Sequence, residues 1–183
     1  MKILLFSLGT LLLTYASRAS LKRPRSHGFY RFFAWEAILA LFLLNVDFWF
    51  RDPFAPHQLI AWTALLASLM IPLGLGIHSL KTRGRPNVTR EAEPSLLAFE
   101  KTTQLVTTDI YRHIRHPLYS SLLLLACGIF FKAPLFAGGT LAVLATIFLI
   151  YTAKADEEEC VRFFGEEYQE YMKRTKRFIP FIC

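Results

Sequence analysis

The chain has 183 residues, of which 54% are hydrophobic and 19% charged, with a mean hydropathy of +0.35. A water-soluble domain of that size needs a more polar outer layer, so the composition argues for a membrane protein of one domain's length. The net charge of +7 brings no aromatic-interleaved basic stripe, which speaks against nucleic acid as a partner, and Cys127, Cys160 and Cys183 show neither paired spacing nor a histidine cluster, which speaks against disulfides and metal.

In chain order, apolar stretches cover residues 3–16, 32–50, 59–80, 118–131 and 133–152. A membrane helix usually needs about 20 apolar residues. The second, third and fifth stretches meet that length, and the first and fourth are short. The fourth and fifth are separated by little more than Lys132 and Pro134, so they are expected to form a tight helical hairpin. The first stretch has two readings. It is a retained span, or it is a signal peptide with Lys2 ahead of it and Ser17-Arg18-Ala19 as the cleavage site. With five spans and an outer N-terminus, only Lys2, Arg51 and Lys132 of the 21 Lys and Arg fall outside. Positive charge holds loops on the cytoplasmic side, which favours the retained helix and a cytoplasmic C-terminus. The same cations serve to orient the chain and to touch anionic headgroups of the lipid bilayer.

The expected fold is therefore an all-α integral membrane protein with about five transmembrane helices, a C-terminal hairpin and a cytoplasmic amphipathic tail helix. Residues 1–80 would hold the N-terminal helices, and residues 81–183 the catalytic, cofactor-binding region. Residues 81–115, the longest polar stretch, read as an extended cytoplasmic connection of the kind that usually carries function. Within the apolar stretches, Glu36 and Asp47 are expected near helix ends, reaching for the interface. Pro72, Gly74 and Gly76 are expected to kink the third helix or to permit close packing.

A hairpin returns both ends to one membrane face, so residues 105–119 and 156–171 should be neighbours. Pro117 suits the first turn of the fourth apolar helix, where its missing N–H costs nothing. Arg115 and His116 then stand at a helix mouth whose free N–H groups favour an anion, or else they merely anchor at the interface. On a helix beginning near Lys154, Glu157, Val161 and Phe164 share an apolar face, while Glu158 and Glu159 turn toward water. A carboxylate on a buried stripe needs a partner. Gly165 is expected to break that helix.

Residues 105–180 resemble the isoprenylcysteine carboxyl methyltransferase family and the related membrane phospholipid methyltransferases. The resemblance rests on Leu105-Val106-Thr107 with Ile110-Tyr111, on Arg115-His116-Pro117 with Tyr119, and on the acidic pair Asp156-Glu157. It continues through Phe164-Gly165-Glu166-Glu167-Tyr168 with Glu170-Tyr171, and through Arg177-Phe178-Ile179-Pro180-Phe181. It implies S-adenosylmethionine as cofactor, held in a cytoplasm-facing pocket by Val106, Tyr111, His116, Tyr119, Asp156 and Glu157. It also implies that Arg115 and Arg174 position an anionic group of a lipophilic or lipid-modified substrate, with Arg177 as a fallback for Arg174. A substrate carboxylate would need no base, whereas an amine or hydroxyl would need a proton acceptor such as Glu157. A sterol- or steroid-reductase-like enzyme using NADPH is the rival reading, since those proteins share the Arg-His-Pro-x-Tyr pattern and an acidic tail. A non-enzymatic scaffold or transporter is the third, although the polar groups gather on one face and no internal repeat is present.

Overall fold

The structure, a computed structural model, describes residues 1–84 and 102–180. It is helical throughout its ordered elements: α1 (Lys2–Leu21), α2 (His27–Asn45), α3 (Pro56–Ser68), α4 (Gly76–Arg83), α5 (Pro117–Lys132), α6 (Phe136–Phe164) and α7 (Glu166–Arg174). Among the described residues, four segments are long and apolar enough to cross a membrane, namely Lys2–Leu21, His27–Phe48, Pro56–Arg83 and Phe136–Phe164. α5 is apolar but has 16 residues, about 24 Å at about 1.5 Å per residue, so it falls short of a full span. The described part of the long polar connection is small, because residues 85–101 lie outside the described residues.

α1 is longer than its apolar run and lies along α2. The Gly9 position lets Leu39 approach, since a Cβ there would stand 2.6 Å from a Leu39 methyl. Beside it, the Thr10 hydroxyl donates to Glu36 at 2.8 Å, and Lys2 pairs with Asp47 at 2.6 Å. The expectation for Glu36 therefore needs correction. Ser26 accepts from the Phe29 N–H and starts α2 at His27, five residues before the apolar run. Glu36 consequently sits in mid-helix, where Oε2 accepts from a hydroxyl on the neighbouring helix rather than reaching the interface, and the buried Oε1 has no hydrogen-bond partner among the described residues. Asp47, by contrast, is an exposed ion-pair partner at the helix end.

The third stretch is one helical rod with an irregular centre. Between α3 and α4 the backbone widens to π geometry over Leu69–Leu75, around Pro72. Proline has no N–H for the helical ladder, and such a loss is commonly absorbed by a local change of register. Gly76 then begins α4 against α5, where a Cβ would meet Leu118 and Pro117 at 3.2 and 3.3 Å.

α5 and α6 form the expected hairpin, joined through residues 133–135. At this turn Lys132 is buried. Its ammonium donates to the Gln58 side chain at 2.9 Å and to the Trp49 carbonyl at 3.3 Å, and lies 3.3 Å from the centre of the Trp62 ring. The two carbonyl oxygens and the ring face offset much of the cost of burying the charge. Leu41, Ala126, Ile129 and Ala145 fill the interior between α2, α5 and α6. α6 has 29 residues, about 43 Å of helix at about 1.5 Å per residue, which exceeds a hydrocarbon core of about 30 Å. The acidic run is therefore the emergent end of α6, not a separate helix beginning near Lys154. Gly165 ends it at φ +62°, and α7 is the amphipathic tail helix.

Candidate active site

The hairpin brings His116 and Glu157 to one rim, as its geometry requires. His116 precedes α5, and its Nε2 lies 3.3 Å from Glu157 Oε1 while its Nδ1 lies 3.3 Å from Asp156 Oδ2. Both ring nitrogens face carboxylates, an arrangement that only the imidazolium satisfies with two donors. Burial opposes the charged ring, but the hydrogen bonds to Asp156 and Glu157 outweigh it, and the His116 pKa rises above its ordinary value. Tyr119, one turn into α5, donates to Asp156 Oδ2 at 3.2 Å and stacks on the His116 ring at 5.3 Å between centres.

Glu157 is buried on α6, as its place on the apolar stripe predicts. Its partners are guanidinium groups. Arg115 reaches Oε1 through Nε and Nη2, both at 2.9 Å. Arg177 reaches Oε1 at 3.0 Å and Oε2 at 2.6 Å. Arg115 Nη1 also donates to the carbonyls of Met172 and Thr175 at the end of α7. Arg115 is thus built into the fold, where it ties α7 to α6, and this differs from the expected role of holding a substrate anion. Arg174 is exposed on α7 and is not brought to this cluster; its Nε donates to the Glu170 carbonyl at 3.5 Å. The fallback residue, Arg177, occupies the place beside Glu157.

The tail after α7 holds the entry to α5 in position. Arg115 N–H donates to the Lys176 carbonyl at 2.8 Å and His116 N–H to the Arg177 carbonyl at 3.1 Å, while Lys176 N–H donates to the His113 carbonyl at 3.1 Å. The Ser120 hydroxyl donates to the Phe178 carbonyl at 2.8 Å. On the other side, the Tyr171 hydroxyl donates to the Tyr111 carbonyl at 2.6 Å. Burial pushes the Tyr168 and Tyr171 hydroxyls far above the ordinary tyrosine range, so both remain neutral at physiological pH.

Between these elements lies a cavity of about 100 Å³ within a larger depression. Val106, Tyr111, His116, Tyr119 and Asp156 line it, and so does Arg115, whereas Glu157 is not among its lining residues but stands behind Arg115 and His116. Residues that the sequence reading did not assign to the cofactor site also line it, notably Glu159, Cys160, Phe164, Tyr168 and Tyr171. Glu159 departs from the expectation of a solvated face. It accepts from the His27 backbone N–H at 3.0 Å and lies 2.6 Å from His27 Nδ1, and the His27 ring is fully buried. Helical periodicity on α6 alone could not reveal this, because the partner stands 132 residues away at the start of α2. Glu158 is exposed, as expected.

A methanethiol S-methyltransferase of Bradyrhizobium diazoefficiens is 25% identical to the chain over 170 residues, 86% of this chain and 55% of that protein. A protein-S-isoprenylcysteine O-methyltransferase of Homo sapiens is 30% identical over 145 residues, 75% of this chain and 48% of that protein. A Delta(14)-sterol reductase of Mus musculus is 29% identical over 140 residues, 69% of this chain and 32% of that protein. The chain spans about half the length of the methyltransferases it matches. No family model matches it, and no solved structure matches it significantly. With its ordered motifs gathered around one helical hairpin, and with methyltransferases among its relatives, the chain is related to the isoprenylcysteine carboxyl methyltransferase family.

Proposed function

We propose that the chain is an integral membrane methyltransferase that binds S-adenosylmethionine in the pocket between α5, α6 and α7 and methylates a lipophilic acceptor. One observation carries this reading: Val106, Tyr111, His116, Tyr119 and Asp156, drawn from three separate stretches of sequence, line a single cavity. The donor set suits the cofactor. Aromatic rings suit an adenine ring, and a carboxylate suits ribose hydroxyls or an ammonium. Bound there, the cofactor would supply a methyl group on a positively charged sulfur. Asp156, held by His116 and Tyr119, would present its oxygens in a fixed direction. The buried tyrosines would limit water around the reacting groups.

The lysine and arginine distribution supports a cytoplasmic pocket and C-terminus. The acceptor would reach it from the bilayer, with prenylcysteine-type carboxylates and small thiols as the classes to test. The relationship to a sterol reductase keeps NADPH as a second reading. Against it, Asp156 and Glu159 line the pocket and Arg115 is committed to Glu157, a poor setting for the phosphates of a dinucleotide. The experiment is transfer of labelled methyl from S-adenosylmethionine, by protein purified in lipid nanodiscs, to a farnesylcysteine analogue and to an alkyl thiol. Labelled product with either supports the proposal. No transfer to either, together with NADPH-dependent reduction of a sterol, would overturn it.

A further inference from the structure

From the pairing of Glu159 with His27 beside the pocket, we infer that Glu159 is a specificity-determining residue that favours the cationic sulfur of the methyl donor over the neutral sulfur of the spent cofactor, and that His27 is its positioning residue. This rests on the cofactor reading above and adds to it a residue pair outside the family motifs.

Three observations carry it. Glu159 lines the same cavity as Asp156 and Tyr119, which puts it within reach of a ligand bound there. Among the described residues its hydrogen bonds come from His27, at 3.0 Å from the backbone and 2.6 Å at Nδ1, with each oxygen taking one contact. A carboxylate oxygen can accept more than one hydrogen bond, so acceptor capacity remains on the pocket side. The nearby guanidinium groups of Arg115 and Arg177 both close on Glu157, while of the pocket's two acids Asp156 is held by His116 and Tyr119 and Glu159 by His27. The pocket also has the ring faces of Tyr119, Phe164 and Tyr168, whose negative quadrupoles suit a cation.

His27 is placed to hold rather than to react. The ring is fully buried, is absent from the pocket wall, and its Nε2 has no hydrogen-bond partner among the described residues. Its contribution is therefore to fix the Glu159 rotamer. Methyl transfer turns a sulfonium into a thioether, so a fixed negative charge nearby would hold the donor more tightly than the product and favour exchange after each turnover.

The test is isothermal titration of the detergent-purified chain with S-adenosylmethionine, with its amine analogue sinefungin and with S-adenosylhomocysteine. In Glu159→Gln, affinity for the two cationic ligands is expected to fall roughly tenfold, the scale of one lost charge-assisted contact, with S-adenosylhomocysteine within about twofold of wild type. Glu159→Asp and His27→Asn, which keep the charge and the donor respectively, retain most of the preference, and His27→Leu loses it; a monodisperse gel-filtration peak confirms that each is folded. If Glu159→Gln leaves all three affinities unchanged or lowers them equally, the inference is wrong while the cofactor reading stands. If wild type binds none of the three, the cofactor reading fails and this one with it. Should Glu159→Gln not fold, loss of the preference in folded His27→Leu supports the inference, and its full retention overturns it.

Discussion

Arg115 closes on Glu157 with two nitrogens at 2.9 Å, in a pair whose side chains are 9% and 6% exposed. Arg115→Ala leaves Glu157 its contacts with Arg177 and His116 but removes one charge-assisted partner and the donor to the Met172 and Thr175 carbonyls. It should therefore destabilise the protein by about 1.5–3 kcal/mol, measured by denaturant unfolding in detergent micelles. Loss of activity would follow loss of structure. Arg174→Ala, at an exposed position with no carboxylate contact, should change stability by less than about 0.5 kcal/mol. Equal effects from the two substitutions would contradict the placement of Arg115.

The pH dependence follows from His116. Its pKa is raised in the folded protein, with hydrogen bonds to Asp156 and Glu157 overcoming burial. The stabilisation is then fully present below the ordinary value of 6.5 and is lost as pH rises through the folded-state value. Melting temperature should fall across that alkaline window in wild type. In His116→Gln the starting stability is lower and the corresponding fall is absent. Parallel curves for the two proteins would show that His116 does not titrate as its partners demand.

Asp156 and Tyr119 separate cofactor binding from folding. Asp156 accepts from Tyr119 at 3.2 Å and lines the cavity. Tyr119→Phe removes one hydrogen bond, worth about 0.5–1.5 kcal/mol, so S-adenosylhomocysteine binding should weaken about two- to tenfold. Asp156→Asn should weaken it further, because the carboxylate itself is a proposed ligand. Titration calorimetry reads both, and an Asp156→Asn protein with wild-type affinity would remove this carboxylate from the binding site.

Close packing of α3 on α5 depends on Gly128. A Cβ there would stand 2.8 Å from Leu65 Cγ and 3.1 Å from the Ala61 carbonyl oxygen. Gly128→Val should destabilise by about 1–3 kcal/mol through overpacking, visible as a lowered melting temperature. Gly139→Ala, with a single neighbour at 3.6 Å, should be nearly neutral.

Much of this arrangement was legible in the sequence because it is local. The hairpin followed from two apolar runs around Lys132 and Pro134, the burial of Glu157 from the i, i+4, i+7 spacing, and the helix break from Gly165. What could not be read depends on contacts between distant segments. Glu36 looked interfacial because the apolar run begins at residue 32, yet the Ser26 cap starts α2 earlier and Thr10 on α1 supplies the partner. Arg115 matched a basic family position, but its commitment to Glu157 and to the end of α7 depends on how the tail folds back. Glu159 turned out to face His27 because α2 lies along α6, and periodicity within α6 carries no information about that neighbour.

The central claim is that this rim grips a nucleoside-bearing methyl donor. Isothermal titration of the wild-type protein with S-adenosylhomocysteine, and separately with NADPH, tests it most directly. Saturable binding of S-adenosylhomocysteine at one site per chain, with no heat from NADPH, is the predicted result. Saturable NADPH binding with none for S-adenosylhomocysteine would contradict it.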